Sequence, residues 1–167
     1  MRLRCRRGQA AVEYALIYAG VILPLTFAII FTAELLWVWH TVNEFTRLGA
    51  RYAVTHCWQG SGENVRTWMR ANVPRVIDME QFASGGVEIA IDYYSRNADS
   101  GQMEAFTCDG GECSTQCVPD AVTISVRNYE FRRFMGFLGL PPVIIPDFRT
   151  TATMESAGCD EAGNCLP

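Results

Sequence analysis

Hydrophobic and polar positions follow three successive patterns along the chain. Residues 14–33, YALIYAGVILPLTFAIIFTA, form a run without a charge. An apolar stripe then continues at alternating spacings of four and three residues to about residue 55. Apolar and polar residues alternate with period two in GGVEIAIDYYS and again in AVTISVRNYEF. These patterns predict, in order, a membrane-length helix, its amphipathic continuation and half-buried strands.

The uncharged run has the length of a membrane span. Twenty helical residues rise about 30 Å, close to the thickness of the hydrocarbon core. Gly20 and Pro24 would weaken a soluble helix but are tolerated in lipid, where we expect Pro24 to kink or loosen its turn. A buried core helix is the first alternative. A removable secretory signal is the second, although FTA at 31–33 has a large residue where a cleavage site needs a small one.

The stripe predicts that one helix runs through residues 9–56 and projects beyond the bilayer. Its face would pack on the chain's own outer domain or on a partner helix, and both alternatives stay open. Trp37 and Trp39 lie where an interfacial aromatic belt would form, or they belong to the core. The members of the stripe are Phe31, Leu35, Val38, Val42, Phe45, Gly49 and Tyr52.

Residues 57–167 predict a small outer domain with three or four antiparallel strands. A short helix capped by Ser61 comes first, with Val65, Trp68 and Met69 on its buried side. The fold class is therefore α+β, a long N-terminal helix followed by a small sheet. The inward-facing strand residues are Val87, Ile89, Ile91 and Tyr93, then Val122, Ile124 and Val126, and finally Phe148, Thr150, Ala152 and Met154.

Six of the seven cysteines fall on the predicted outer side, and the seventh is Cys5. An even number in an oxidising compartment favours disulfides, which would stabilise a domain of this size. One arrangement has a local bridge within each of two groups and a longer bridge to Cys57. Zinc is the alternative, but the spacings do not form paired C-x2-C knuckles. The six are Cys57, Cys108, Cys113, Cys117, Cys159 and Cys165.

Charge sets the expected orientation. The chain has 14 basic residues, all arginine, against 18 acidic ones. Arg2, Arg4, Arg6 and Arg7 precede the uncharged run, so the N-terminus should be cytoplasmic and residues 57–167 extracytoplasmic. The chain after Gly8 keeps ten arginines against 18 acids, a net charge of −8. That balance argues against nucleic acid as a partner.

Glu13 stands at the edge of the uncharged run, where a carboxylate is costly to place in lipid. If the bond after Gly8 were cut, the new amine of Gln9 would lie four residues away, and it could pair with Glu13 on the same chain or on a neighbouring helix. The cut would also remove all four leading arginines. The alternative is that Glu13 simply reaches the aqueous surface.

The chemistry of an enzyme is not evident in the sequence. His40 and His56 are the only histidines, and no nucleophile, phosphate-binding or zinc-protease motif occurs. We therefore expect no catalytic residue, no cofactor and no metal.

The N-terminus RRGQAAVEYAL resembles the class III leader of type IV pilin-like proteins. The pair Glu13–Tyr14 is similar to the tight-adherence (Flp) branch, and the helix end NEFTRLGARYAV and the last strand TTATMES resemble TadE-like minor pilins, or pseudopilins. The resemblance implies a basic leader at residues 1–8, a prepilin peptidase that cuts between Gly8 and Gln9, and a Glu13 that sets helix register. Gln9 departs from the usual first residue, phenylalanine.

The implied function is a minor structural or assembly subunit of a tight-adherence type IV pilus. Its partners would be the peptidase, other pilin-like subunits through the helix, and the membrane. It would sit in the inner membrane as a single-pass protein with its outer domain in the periplasm, and could enter the pilus. The alternative is a permanently anchored envelope protein whose outer domain binds a ligand or an envelope partner.

Overall fold

The structure is a computed structural model that describes residues 6–133, 135–160 and 162–166. The chain divides into two compact units between Trp37 and Val38. The helices are α1 (Arg6–Ile17), α2 (Leu23–Thr55), α3 (Glu63–Ala71), α4 (Met79–Ala83) and α5 (Met135–Leu138), with a π-helical turn (Tyr18–Ile22) between α1 and α2. The strands are β1 (Glu88–Arg96), β2 (Met103–Ala105), β3 (Ala121–Arg127), β4 (Glu130–Phe131), β5 (Val143–Ile144) and β6 (Phe148–Thr153).

The first unit is helical, and its side chains from residue 8 to residue 30 are all exposed. The turn ahead of Pro24 is loosened, as predicted: Tyr18–Ile22 is π-helical and the Leu23 N–H donates to the Tyr18 carbonyl. Proline has no N–H to continue the ladder, so the wider turn accommodates the missing donor. The Thr26 hydroxyl donates to the Ile22 carbonyl at 2.8 Å, which satisfies a polar side chain without water.

The second unit is built on a four-stranded antiparallel sheet in the order β2-β1-β3-β6. Ile91, Ile124 and Thr150 align across its three longer strands and face the C-terminal part of α2. Close approach is possible because α2 has Gly49 there, where an added Cβ would meet Ile124 at 3.2 Å. The Thr46 and Thr150 hydroxyls lie 3.1 Å apart across the same contact. The predicted α+β class, long helix followed by antiparallel sheet, is confirmed.

The amphipathic stripe packs on the chain's own domain from Val38 onward. Val38, Val42 and Phe45 are almost completely buried, and Phe45 meets Phe82 edge to face at 5.7 Å between ring centroids. Burying side chains of this size stabilises by about 1.5–3 kcal/mol each. Of the two alternatives for the stripe, its own domain or a partner helix, the first is therefore confirmed from Val38 onward, where the helix forms part of the domain's core.

The prediction that Ser61 caps α3 is wrong. Ser61 has φ 55°, and Gly62 occupies the cap position at φ 90°. A serine N-cap needs extended backbone, which this left-handed pair does not provide. Gly62 lies against Ile91, whose Cγ2 would be 2.8 Å from an added Cβ, so the position requires glycine on two counts. Of the predicted buried side, Val65 and Met69 are buried and Trp68 is half-buried.

Two elements were not predicted, the helix α4 and the small antiparallel sheet β4–β5. Gln81, which is 2% exposed, joins them: its Nε2 donates to Asp78 and to the Glu130 carbonyl, and its Oε1 accepts from the Glu130 N–H. A buried amide is stable only when its donors and acceptor are paired in this way. The buried glutamine therefore joins α4 to β4.

Candidate functional site

The predicted processing site lies within α1. Gly8 and Gln9 are helical and exposed, and Gln9 Nε2 donates to Glu13 Oε1 at 3.1 Å. Residues four apart face each other on a helix, so this contact follows from the spacing. The side-chain amide of Gln9 was not foreseen as a partner for Glu13, although the i, i+4 spacing could have indicated it.

Glu13 and Tyr14 are both exposed on this helix, and Tyr14 stacks on Tyr18 with ring centroids 6.4 Å apart. Tyr18 is also the first residue of the π-helical turn. The acid–tyrosine pair therefore stands one turn before the loosened segment, on a surface available to other helices. Of the leader arginines, Arg6 and Arg7 lie in α1, while Arg2 and Arg4, like Cys5, lie outside the described residues.

The helix Gly8–Thr55 is long and apolar enough to cross a membrane, and none of its most apolar 18-residue window is buried. A core helix of a soluble protein would bury such a window, so the first alternative to a membrane span does not fit. Leu16, Leu25, Phe27 and Ile29 each expose more than half of their surface. In water that exposure would be costly, and in lipid it costs nothing. The chain is thus suited to membrane anchoring.

The two tryptophans that follow the predicted span belong to different units. Trp37, in the first unit, is 62% exposed. Trp39, in the second, is 44% exposed and meets Phe148 edge to face at 5.8 Å between ring centroids. Trp39 therefore belongs partly to the core and partly to the surface, which combines the two roles that the sequence left open.

The six cysteines of residues 57–167 form three disulfides. Cys57–Cys113 joins the end of the long helix to a distant loop, whereas Cys108–Cys117 and Cys159–Cys165 close short loops. This is the arrangement of two local bridges and one long one to Cys57. The disulfides occupy the sulfur atoms that the zinc alternative would need as thiolates. The domain is disulfide-stapled, as the sequence predicts.

Titratable groups with shifted pKa values do not gather at one place. Burial raises the pKa of Tyr93 to about 12, with Arg66 opposing, and its hydroxyl has no hydrogen-bond partner among the described residues. Hydrogen bonds from Asn164 lower the pKa of Asp160, which is fully exposed in the last disulfide loop. Within the described residues, no three metal-ligating side chains are grouped.

An exposed apolar helix followed by a disulfide-bonded antiparallel sheet fits the class of membrane-anchored proteins that carry a small α+β domain. A family model described as TadE-like protein matches residues 8–51, which is 44 of the 167 residues and lies entirely within the long helix. The match confirms the resemblance to TadE-like proteins over the helix, and it supports a pilin-like role in the tight-adherence pilus system. No curated protein and no solved structure matches the chain.

Proposed function

We propose that this chain is a minor pilin-like subunit of a tight-adherence pilus, made as a membrane-anchored precursor and cut after Gly8. The observation that carries the proposal is the family match itself, which begins at Gly8 and ends at Arg51. The match thus starts at the residue that precedes the proposed cut, and it does not include the leader arginines. The helix is the part that such subunits would share, and residues 57–167 are the part that would give this subunit its own contacts.

Cleavage would change the chemistry at the start of the helix. The product begins at Gln9 and carries a new ammonium group four residues before Glu13, while four arginines leave with the leader. Opposite charges attract strongly in a medium of low dielectric constant. The exposed Glu13 would then pair with the ammonium group of a neighbouring subunit, and that pairing would set the register of packed helices. The role is structural rather than catalytic.

The experiment is the intact mass and first residue of the protein produced with and without prepilin peptidase. We expect loss of residues 1–8, with Gln9 first, only when the peptidase is present. An unprocessed chain would contradict the proposal and favour the permanently anchored envelope protein.

Two glycines in one helix provide matched variants. An added Cβ meets nothing within 4 Å at Gly8 or at Gly20, so both can become alanine without a clash. Gly8→Ala should reduce cleavage, and Gly20→Ala should leave it intact. Equal cleavage of the two variants would show that the residue before the cut is not recognised.

A further inference from the structure

The proposed cut changes the chemistry of the residue that it exposes. In the intact chain the backbone nitrogen of Gln9 belongs to the peptide bond with Gly8, where resonance withdraws its lone pair and makes it a poor nucleophile. After the cut the same nitrogen is a free amine, and the side-chain amide carbon Cδ of Gln9 can fold back onto it in a five-membered ring. Reacting groups held within one molecule have a very high effective concentration. Gln9 is therefore able to react with itself once residues 1–8 have left.

The reaction is ring closure to pyroglutamate. The amine nitrogen attacks Cδ, a new C–N bond forms, and the Cδ–Nε2 bond breaks. One amine proton passes to Nε2, which leaves as ammonia, so the products are a neutral lactam and NH3, and no oxidant or co-reactant is consumed. The first residue then lacks the positive charge that the proposed pairing with Glu13 requires.

The structure contains a contact that opposes this closure. The Gln9 side chain is exposed, and its Nε2 donates to Glu13 Oε1 at 3.1 Å. Glu13 lies four residues on, about 6 Å along the helix axis, so the bonded side chain reaches toward the next turn. Ring closure needs the same side chain folded back onto its own nitrogen. The two conformations exclude each other, so a chain with the hydrogen bond made does not close.

Glu13 is also the residue that restrains this side chain. Among the described residues, the Gln9 amide has no hydrogen-bond partner besides Glu13, and an added Cβ at Gly8 would meet nothing within 4 Å. Hydrogen bonds to an ionised carboxylate are stronger than those between neutral groups. A carboxylate has two oxygens, so one can accept from Gln9 of the same chain while the other accepts from the ammonium group of a neighbour.

We propose that Gln9 is a modification site, open to pyroglutamate formation once the cut is made, and that Glu13 is a positioning residue that slows this closure on its own chain. Glu13 thereby preserves the positive charge of the first residue for pairing between subunits. The inference deepens the proposed function and rests on it, because Gln9 cannot close while Gly8 is attached.

The test is a time course on the full chain in detergent micelles after cutting by prepilin peptidase. Intact mass separates three species: the precursor, the product that begins with free Gln9, and the product lighter by one ammonia. A mildly alkaline buffer leaves much of the amine unprotonated. Gln9→Ala is the control for the assay, because alanine has no amide, and any ammonia lost from that chain comes from another residue.

We expect the Glu13→Ala chain to lose ammonia about two- to tenfold faster than the wild-type chain, the range that corresponds to the net value of one hydrogen bond. Glu13→Gln keeps an acceptor oxygen, so its rate should fall between the two. Glu44→Ala removes a carboxylate elsewhere on the long helix and should close at the wild-type rate.

Equal rates in the wild-type and Glu13→Ala chains would overturn the role of Glu13. A cut Glu13→Ala chain that loses no ammonia would overturn the modification site. A wild-type chain that keeps residues 1–8 in the presence of the peptidase would overturn the proposed cut and this inference together, and the mass of the precursor distinguishes that result from the other two.

Discussion

The two ends of α2 contain similar residues in opposite surroundings. Leu25, Phe27 and Ile29 expose about 60% of their surface, whereas Val38, Val42 and Phe45 expose 1% or less. Helical propensity and hydrophobicity do not distinguish the two groups. The difference lies in what surrounds them. In the first unit the side chains of residues 8–30 are all exposed, whereas the second unit packs a sheet and two short helices against its part of the helix. One helix therefore lies in two environments. Its N-terminal part is suited to lipid, and its C-terminal part is packed against protein.

The largest expected effect comes from removing an aromatic ring on the protein-facing end. Phe45→Ala should destabilise the domain by about 3–5 kcal/mol, because it leaves a cavity against Phe82. Phe27→Ala, at the lipid-facing end, should leave domain stability unchanged. Denaturant unfolding of the full chain in detergent micelles measures both, and equal losses would contradict the division of the helix between two environments.

The disulfides should contribute different amounts to the free energy of unfolding, according to the length of the loop that each closes. Cys57–Cys113 spans 56 residues, and Cys159–Cys165 spans six. The chain-entropy relation gives about 4 kcal/mol for the long loop and about 2 kcal/mol for the short one. Replacing each pair by serine and measuring denaturant unfolding checks this ranking. A larger loss from the short loop would mean that native-state contacts, rather than chain entropy, decide the effect.

The buried Tyr93 predicts a loss of domain stability at alkaline pH. Its pKa is raised from 10.0 to about 12 because burial disfavours the phenolate. Below pH 10 the phenol is protonated in both folded and unfolded chains and has no effect. Between pH 10 and 12 the unfolded chain loses the proton first, so stability falls as pH rises, by about 2–3 kcal/mol in total.

The matched variant is Tyr93→Phe, which removes a buried hydroxyl that has no partner among the described residues. It should be neutral or slightly stabilising at pH 7, and it should remove this part of the alkaline loss. Unfolding free energies at pH 8 and pH 11 for both chains provide the check. An identical alkaline loss in the variant would show that other groups cause it.

The smallest effect is expected on the polar face of α2. Arg47 pairs with Glu44 at 2.8 Å, but both side chains are well exposed, so the pair is screened by water. Arg47→Ala should change the unfolding free energy by no more than about 0.5 kcal/mol. A loss comparable to that of Phe45→Ala in the same micelle measurement would mean that this face also belongs to an interface.

The sequence was sufficient where one periodicity controls the local structure. The stripe and strands β1, β3 and β6 follow from repeats of 3.6 or 2, and the inward residues Ile91 and Ile124 were placed correctly. The span followed from the length of its uncharged run. The loosened turn followed from the chemistry of Pro24 alone.

Other features depended on contacts between distant residues, and the sequence did not reveal them. Gly62, not Ser61, occupies the cap of α3 because Ile91 leaves no room for a Cβ. Ser125 is 1% exposed on the outward side of β3, which has neighbours on both edges in the sheet. The strand pair β4–β5 depends on Gln81 and was hidden in a segment rich in glycine and proline. Alternation of apolar and polar residues predicts one buried face for a strand, so it does not predict that β3 is buried on both faces. It also does not predict strands of two residues, such as β4 and β5.

The central claim is that the helix carries assembly through Glu13, and piliation of cells that produce only a variant chain tests it most directly. Glu13→Ala should be cut and anchored as usual but should abolish piliation. Glu44→Ala removes a carboxylate farther along the helix, outside the predicted span, and should preserve piliation. Normal pili on the Glu13→Ala cells would contradict the account.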